Sequence, residues 1–142
     1  MTAAVNTASL ALADAAIRLI GAPFRLYGRD PATGLDCVGL VHAALRLCGH
    51  TGIAMFPYAL HNRSVAAGIA ALDTAGLTRC ADASPQPGAV LLTHPGPAQA
   101  HLMIMAPSGA FIHAHAGLRR VVATPGPLTW PIAGHWHLPP FS

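Results

Sequence analysis

Cys37 and two of the nine histidines, His101 and His113, are the residues of this 142-residue chain best placed to do covalent chemistry. Cys37 lies in Gly34-Leu35-Asp36-Cys37-Val38-Gly39-Leu40-Val41, where a turn gives way to a helix. The free N–H groups and the helix dipole favour an anion there. Cysteine attacks as the thiolate, and a nearby imidazole helps to form it. The spacing therefore predicts an activated thiolate whose oxyanion intermediate is held by the first amides of the helix, around Val38. Gly34 and Gly39 are expected to leave room for a substrate backbone. The other two cysteines read as structural. Cys48 falls on the apolar stripe of the same helix, and Cys80 has no partner near it in sequence.

The histidines can be placed by parity. His101 opens His101-Leu102-Met103-Ile104-Met105, and Phe111-Ile112-His113-Ala114-His115 returns after a turn at Pro107-Ser108-Gly109. Side chains alternate faces along a strand, so His101 sides with Met103 and Met105, and His113 with Phe111 and His115. A three-residue loop opposes His101 to His113, and a five-residue loop opposes it to His115. In either register a second imidazole can hydrogen-bond the first and fix its tautomer.

These side chains need elements to carry them. Residues 8–20 read as a helix with an apolar stripe at helical spacing, ended by Gly21-Ala22-Pro23. A loop over 24–35 follows, then a second helix over 37–48, capped by Asp36 and stopped by Gly49. Residues 61–75 look like a third, alanine-rich helix. Strands are expected at 89–93, 101–105 and 111–115, with weaker ones at 121–123 and 134–138. Pro and Gly separate most of them, as in an antiparallel meander. Helices first and strands later is the α+β pattern.

Composition narrows the function. The length suits one compact domain spanning 1–142. The hydrophobic fraction is 53% and the charged fraction 9%, yet no run approaches the ~18 apolar residues of a membrane span. All eight cations are arginine, and only Arg119 and Arg120 are adjacent. With no basic helix or stacking aromatics beside them, the net charge of +3 does not indicate nucleic acid. Three cysteines without metal-type spacing fit free thiols in a reducing compartment. No basic residue precedes Arg18 and Asp14 interrupts the early apolar stretch, so no secretory signal is read there. Synthesis in the cytoplasm, with delivery by other means, is the expectation.

Taken together, Gly21-Ala22-Pro23-Phe24-Arg25-Leu26-Tyr27-Gly28 and Asp36-Cys37-Val38-Gly39-Leu40-Val41 resemble the signature of the NlpC-type cell-wall peptidases. Pro87-Gly88-Ala89-Val90-Leu91-Leu92 resembles that family's P-G-D-L strand, His101-Leu102-Met103-Ile104 its H-V-G-I, and Phe111-Ile112-His113-Ala114 its F-I-H-A. The similarity covers about residues 21–139. It implies a papain-like fold, with N-terminal helices packed on a C-terminal antiparallel sheet. It also implies Cys37 as nucleophile, His101 as general base and His113 as the residue that orients it, with no cofactor or metal. The implied reaction is hydrolysis of the γ-D-glutamyl–diaminopimelate bond of peptidoglycan stem peptides. The aliphatic residue after the cysteine resembles a branch found with phage tails and gene transfer agents. That implies a tail-associated hydrolase acting on the cell wall, with tail proteins as partners.

Three positions depart from the family pattern. Phe24 stands where the family has an oxyanion tyrosine, Val38 where it has serine, and Ala89 where it has aspartate. Tyr27, three residues from Phe24, is a candidate to supply the missing hydroxyl, and His115 is a further substrate-binding candidate. Two other readings compete with the enzyme. One is a zinc protein, because His113/His115 and His135/His137 each place two imidazoles on one strand face and could join His101. The other is a structural tail component that has lost activity.

Overall fold

The computed structural model describes residues 7–49, 72–73, 76–80, 84–95 and 100–138. Helix α1 (Thr7–Arg18) buries Ala8, Leu12, Ala15 and Ala16, a stripe at helical spacing. Two short strands, β1 (Arg29–Asp30) and β2 (Gly34–Leu35), pair antiparallel before helix α2 (Cys37–Leu47). The expected loop over 24–35 thus contains a miniature hairpin, too short to leave a period in the sequence. Asp36 is the N-cap of α2, and its Oδ1 accepts from the Gly39 N–H at 2.8 Å. The proposed helix over 61–75 lies outside the described residues except for Leu72 and Asp73, which are helical. Asp73 accepts a hydrogen bond from Trp136 Nε1 at 2.8 Å.

The remaining strands are β3 (Thr78–Cys80), β4 (Val90–Thr93), β5 (His101–Met105), β6 (Phe111–His115), β7 (Arg120–Thr124) and β8 (Ile132–His137). They form one antiparallel sheet in the order β3-β8-β4-β5-β6-β7. Strands β4 to β7 are the meander expected from the Pro/Gly spacing, and β8 returns to the other edge of β4. Strand β3 was not expected, because two of its three residues are exposed and carry no alternation.

Both helices cover one face of the sheet, where Leu12, Leu40, Val41, Val90, Leu102, Ile104 and Ile112 form the main core. Leu91, Met103 and Phe111 form a smaller cluster on the opposite face, with Trp130 packed against it. Alternation along β5 and β6 puts His101 and His113 on that second face. The site is therefore built where α2 and the sheet meet at the His101 end of β5.

Candidate active site

Cys37 is the first residue of α2, and two bonds to Asp36 fix the turn before it. Asp36 Oδ1 caps the helix, while Oδ2 accepts the backbone N–H of Tyr27 at 2.6 Å. One buried carboxylate thereby ties the preceding loop to the helix that carries Cys37. The two glycines do a different job from the one expected of them. A Cβ at Gly39 would strike the Gly28 carbonyl, and one at Gly34 would strike Arg25. The missing side chains admit the chain's own loop rather than a substrate.

The β5–β6 connection settles the register. Met105 pairs with Phe111 and Ile104 with Ile112, so the loop over 106–110 has five residues and His115 is the residue in register with His101. Even so, His101 Nε2 lies 3.0 Å from Nδ1 of His113, its diagonal neighbour, with the rings edge to face at 5.2 Å. His113 Nε2 in turn lies 2.8 Å from Thr124 Oγ1 on β7. His115 accepts the Leu118 N–H at its Nδ1, at 3.1 Å.

A cavity of about 400 Å³ is lined by Cys37, His101, His113 and His115, with Asp36, Phe24 and Trp130 among its other walls. The thiol and the two hydrogen-bonded imidazoles singled out in the sequence share this one hollow. Phe24 presents a ring with no hydroxyl to it. Tyr27 lines a different cleft, with Arg25, Asp30 and Thr33, and adopts a left-handed φ of 63°. What Tyr27 gives the site is its backbone N–H. The Val38 side chain is fully buried in the core, so only its backbone can serve the chemistry. Trp130, which the sequence reading missed, sets its indole edge to face against His101 at 5.6 Å and His113 at 6.1 Å. A lone tryptophan in a Pro/Gly-rich stretch was the available signal.

The resting charges differ from the expected thiolate. Burial pushes the Cys37 thiol up to about 11, and the Asp36 carboxylate adds to the rise. Hydrogen bonds from the backbone of Leu102, Val38 and Cys37 itself pull the other way and lose. Desolvation outweighs the helix terminus because Cys37 is only 6% exposed. His101 falls to about 4 by burial and then by the charges of His113 and His115, and His113 falls to about 4 by burial and then by His115. At neutral pH the resting pair therefore comprises the Cys37 thiol and the neutral imidazoles of His101 and His113.

The other two sulfurs are engaged elsewhere. Cys48 Sγ donates to the Leu45 carbonyl at 3.4 Å. Cys80, expected to lack a partner, lies 2.7 Å from His137 Nδ1, because β3 pairs with β8 across a long stretch of sequence. Among the described residues no three His, Cys, Asp or Glu side chains converge to hold a metal ion. Of the five histidines of the zinc reading, His101, His113 and His115 line the cavity beside Cys37, while His137 lies against Cys80. Among the described residues no helix is long and apolar enough to cross a membrane.

The architecture is similar to that of solved NlpC/P60 domains. The NlpC/p60 domain of the peptidoglycan hydrolase SagA is 25% identical, with a TM-score of 0.61 over 94% of this chain and 100% of that one. NlpC2 from Trichomonas vaginalis is 19% identical, with a TM-score of 0.68 over 96% of this chain and 49% of that one. The P60 domain of M. avium subspecies paratuberculosis antigen MAP1204 is 17% identical, with a TM-score of 0.58 over 92% and 93%. The chain spans about half the length of the Trichomonas protein. No protein-family model and no curated protein sequence matches. The fold is α+β and of the NlpC type.

Proposed function

We propose that this protein is a cysteine endopeptidase that hydrolyses peptidoglycan stem peptides, at the γ-D-glutamyl–diaminopimelate bond, with Cys37, His101 and His113 as its triad. The observation that carries the reading is the common cavity of Cys37 and the His101–His113 pair, within a fold similar to a domain of a peptidoglycan hydrolase. Because His101 Nε2 is engaged by His113, Nδ1 is the nitrogen left for the thiol. It takes the thiol proton as Sγ attacks the carbonyl carbon. The amides at the start of α2 donate to the oxyanion that forms. The imidazolium then protonates the departing amine, leaving a thioester. Water, deprotonated by the same imidazole, releases the acid and restores the thiol. The neutral resting pair is competent for this, because proton transfer and attack proceed together.

The motif Asp36-Cys37-Val38-Gly39 supports a place for the enzyme among phage-like tail proteins, opening the wall locally. Its recovery in purified tail particles tests that location. For the reaction, diaminopimelate-type peptidoglycan is digested with wild type and Cys37→Ala, and fragments are identified by mass spectrometry. New diaminopimelate amino termini are expected with the wild type only. No release by a folded wild type would remove the peptidase reading.

A catalytically silent structural component is the second reading, favoured by the apolar Phe24 and by the raised thiol. The same digestion separates the two.

A further inference from the structure

His101, His113 and Thr124 form a diagonal row across three adjacent strands. Each contact joins residues displaced by two positions from the register: His115 is in register with His101, and Val122 is paired with His113. Diagonal neighbours on one sheet face remain within reach of long side chains. The row has a direction, and the thiol sets it. To take the Cys37 proton, His101 Nδ1 must be unprotonated, which puts the His101 proton on Nε2. That N–H donates to His113 Nδ1 across 3.0 Å, so His113 must carry its own proton on Nε2. The group facing that nitrogen is Thr124 Oγ1, at 2.8 Å.

We propose that Thr124 is a positioning residue of this site: by accepting the Nε2–H of His113 it holds both imidazoles in the tautomer that leaves His101 Nδ1 open to the thiol. Thr124 is exposed, so its own proton can bond to water while its oxygen serves His113. His113 is only 3% exposed. An Nε2–H left there without an acceptor is costly, and the ring avoids the cost by moving its proton to Nδ1. That proton would then point at His101 Nε2, drive the His101 proton onto Nδ1 and block the base. The hydroxyl thus acts on the thiol through two rings without touching substrate.

The inference rests on the peptidase reading for its catalytic meaning, but its test does not need substrate. Imidazole ¹⁵N shifts report which ring nitrogen is protonated in the full chain, in wild type, Thr124→Val and Thr124→Ser. The expected wild type has both His101 and His113 protonated at Nε2. Thr124→Val, which keeps the branched shape of a strand residue, should move His113 toward the Nδ1–H form, and Thr124→Ser should restore it. On peptidoglycan fragments, kcat should fall roughly five- to tenfold in Thr124→Val with KM unchanged, the loss expected from one neutral hydrogen bond. His113 protonated at Nδ1 in the wild type, or a tautomer unmoved by Thr124→Val, would overturn the proposal. A wild type that cleaves nothing would sink the peptidase, and the tautomers would still decide the role of Thr124. If Thr124→Val does not fold, the wild-type spectrum still tests the proposal, because His113 protonated at Nδ1 overturns it.

Discussion

The backbone of Leu102 hydrogen-bonds to the Cys37 sulfur in the place where the register of β5 and β6 would put Ala114. The Met105 N–H donates to Ala89 on the β4 side, and the direction of N–H groups alternates along a strand. Leu102 therefore points toward β6, yet the ladder ends at Ile104 and Ile112. His101, Leu102 and Met103 lie beyond the positions paired with β6, which leaves the Leu102 backbone to the Cys37 sulfur. Cys37 is thus located by a strand as well as by its helix, which is how two elements so far apart in sequence hold one geometry.

Acid should act on this protein through His101 and His113. Both have folded-state values lowered from 6.5 to about 4, so the unfolded chain takes up protons first as pH falls. Stability is then full above about 6.5 and lost on the way down toward about 4. Denaturant titrations across that range should show the decline, and His113→Asn should blunt it. The acid limb of kcat/KM should likewise lie well below that of an ordinary imidazole.

Cys37 should alkylate slowly at neutral pH despite standing at a helix terminus. Burial holds its thiol at about 11, so the thiolate is scarce until the solution is strongly alkaline. Timed iodoacetamide labelling, resolved by peptide mass spectrometry, should find Cys37 slower than free cysteine. A faster rate would mean that the ion pair forms in the resting enzyme.

Asp36→Ala should cost stability and activity together. It removes the cap on Gly39 and the acceptor for the Tyr27 N–H. Loss of an N-cap costs about 1 kcal/mol, and the second, buried bond should raise that to about 2–3 kcal/mol in chemical denaturation.

Gly39→Ala reverses the usual sign for a helix. Replacing glycine by alanine in an open helix gains roughly 1 kcal/mol. Here the new methyl would meet the Gly28 carbonyl, and rigid overpacking costs about 1–3 kcal/mol. A lowered denaturation midpoint is expected, with slower turnover as the loop shifts from α2.

His113 should tolerate asparagine better than phenylalanine. Asparagine keeps a polar partner for His101 Nε2, whereas phenylalanine leaves a buried N–H bare. Misplacing the tautomer of a catalytic imidazole can lower kcat by up to about 10⁴-fold. Steady-state rates of the two variants should differ by at least about tenfold, with similar KM.

Much of this site could be read in the sequence because its carriers are regular. Strands β5 and β6 alternate cleanly, and α2 begins at a capping aspartate beside the cysteine. The choice of His113 over His115 did not follow from parity, since twist brings diagonal neighbours together. Burial is likewise invisible in a linear string, so the thiol was expected to be charged. Strands β1, β2 and β3 were too short to show a period. Thr124 ends a weak strand and carries no motif, so only its 2.8 Å contact gives it a part.

The segment 21–36 is held at both ends of this machinery. Gly21, Ala22 and Phe24 hydrogen-bond the β7 edge and its approach, at Val121 and Arg119, while Asp36 and Gly28 lock against α2. A change in that stretch should displace Cys37 and the strand bearing Thr124 at once. Its freedom to diverge is correspondingly small. Pro95, Ala100 and Trp130 line the same hollow but belong to no strand, so a change there should reshape the hollow without moving either element. The walls of the hollow can thus vary independently of the Cys37–His101–His113 geometry.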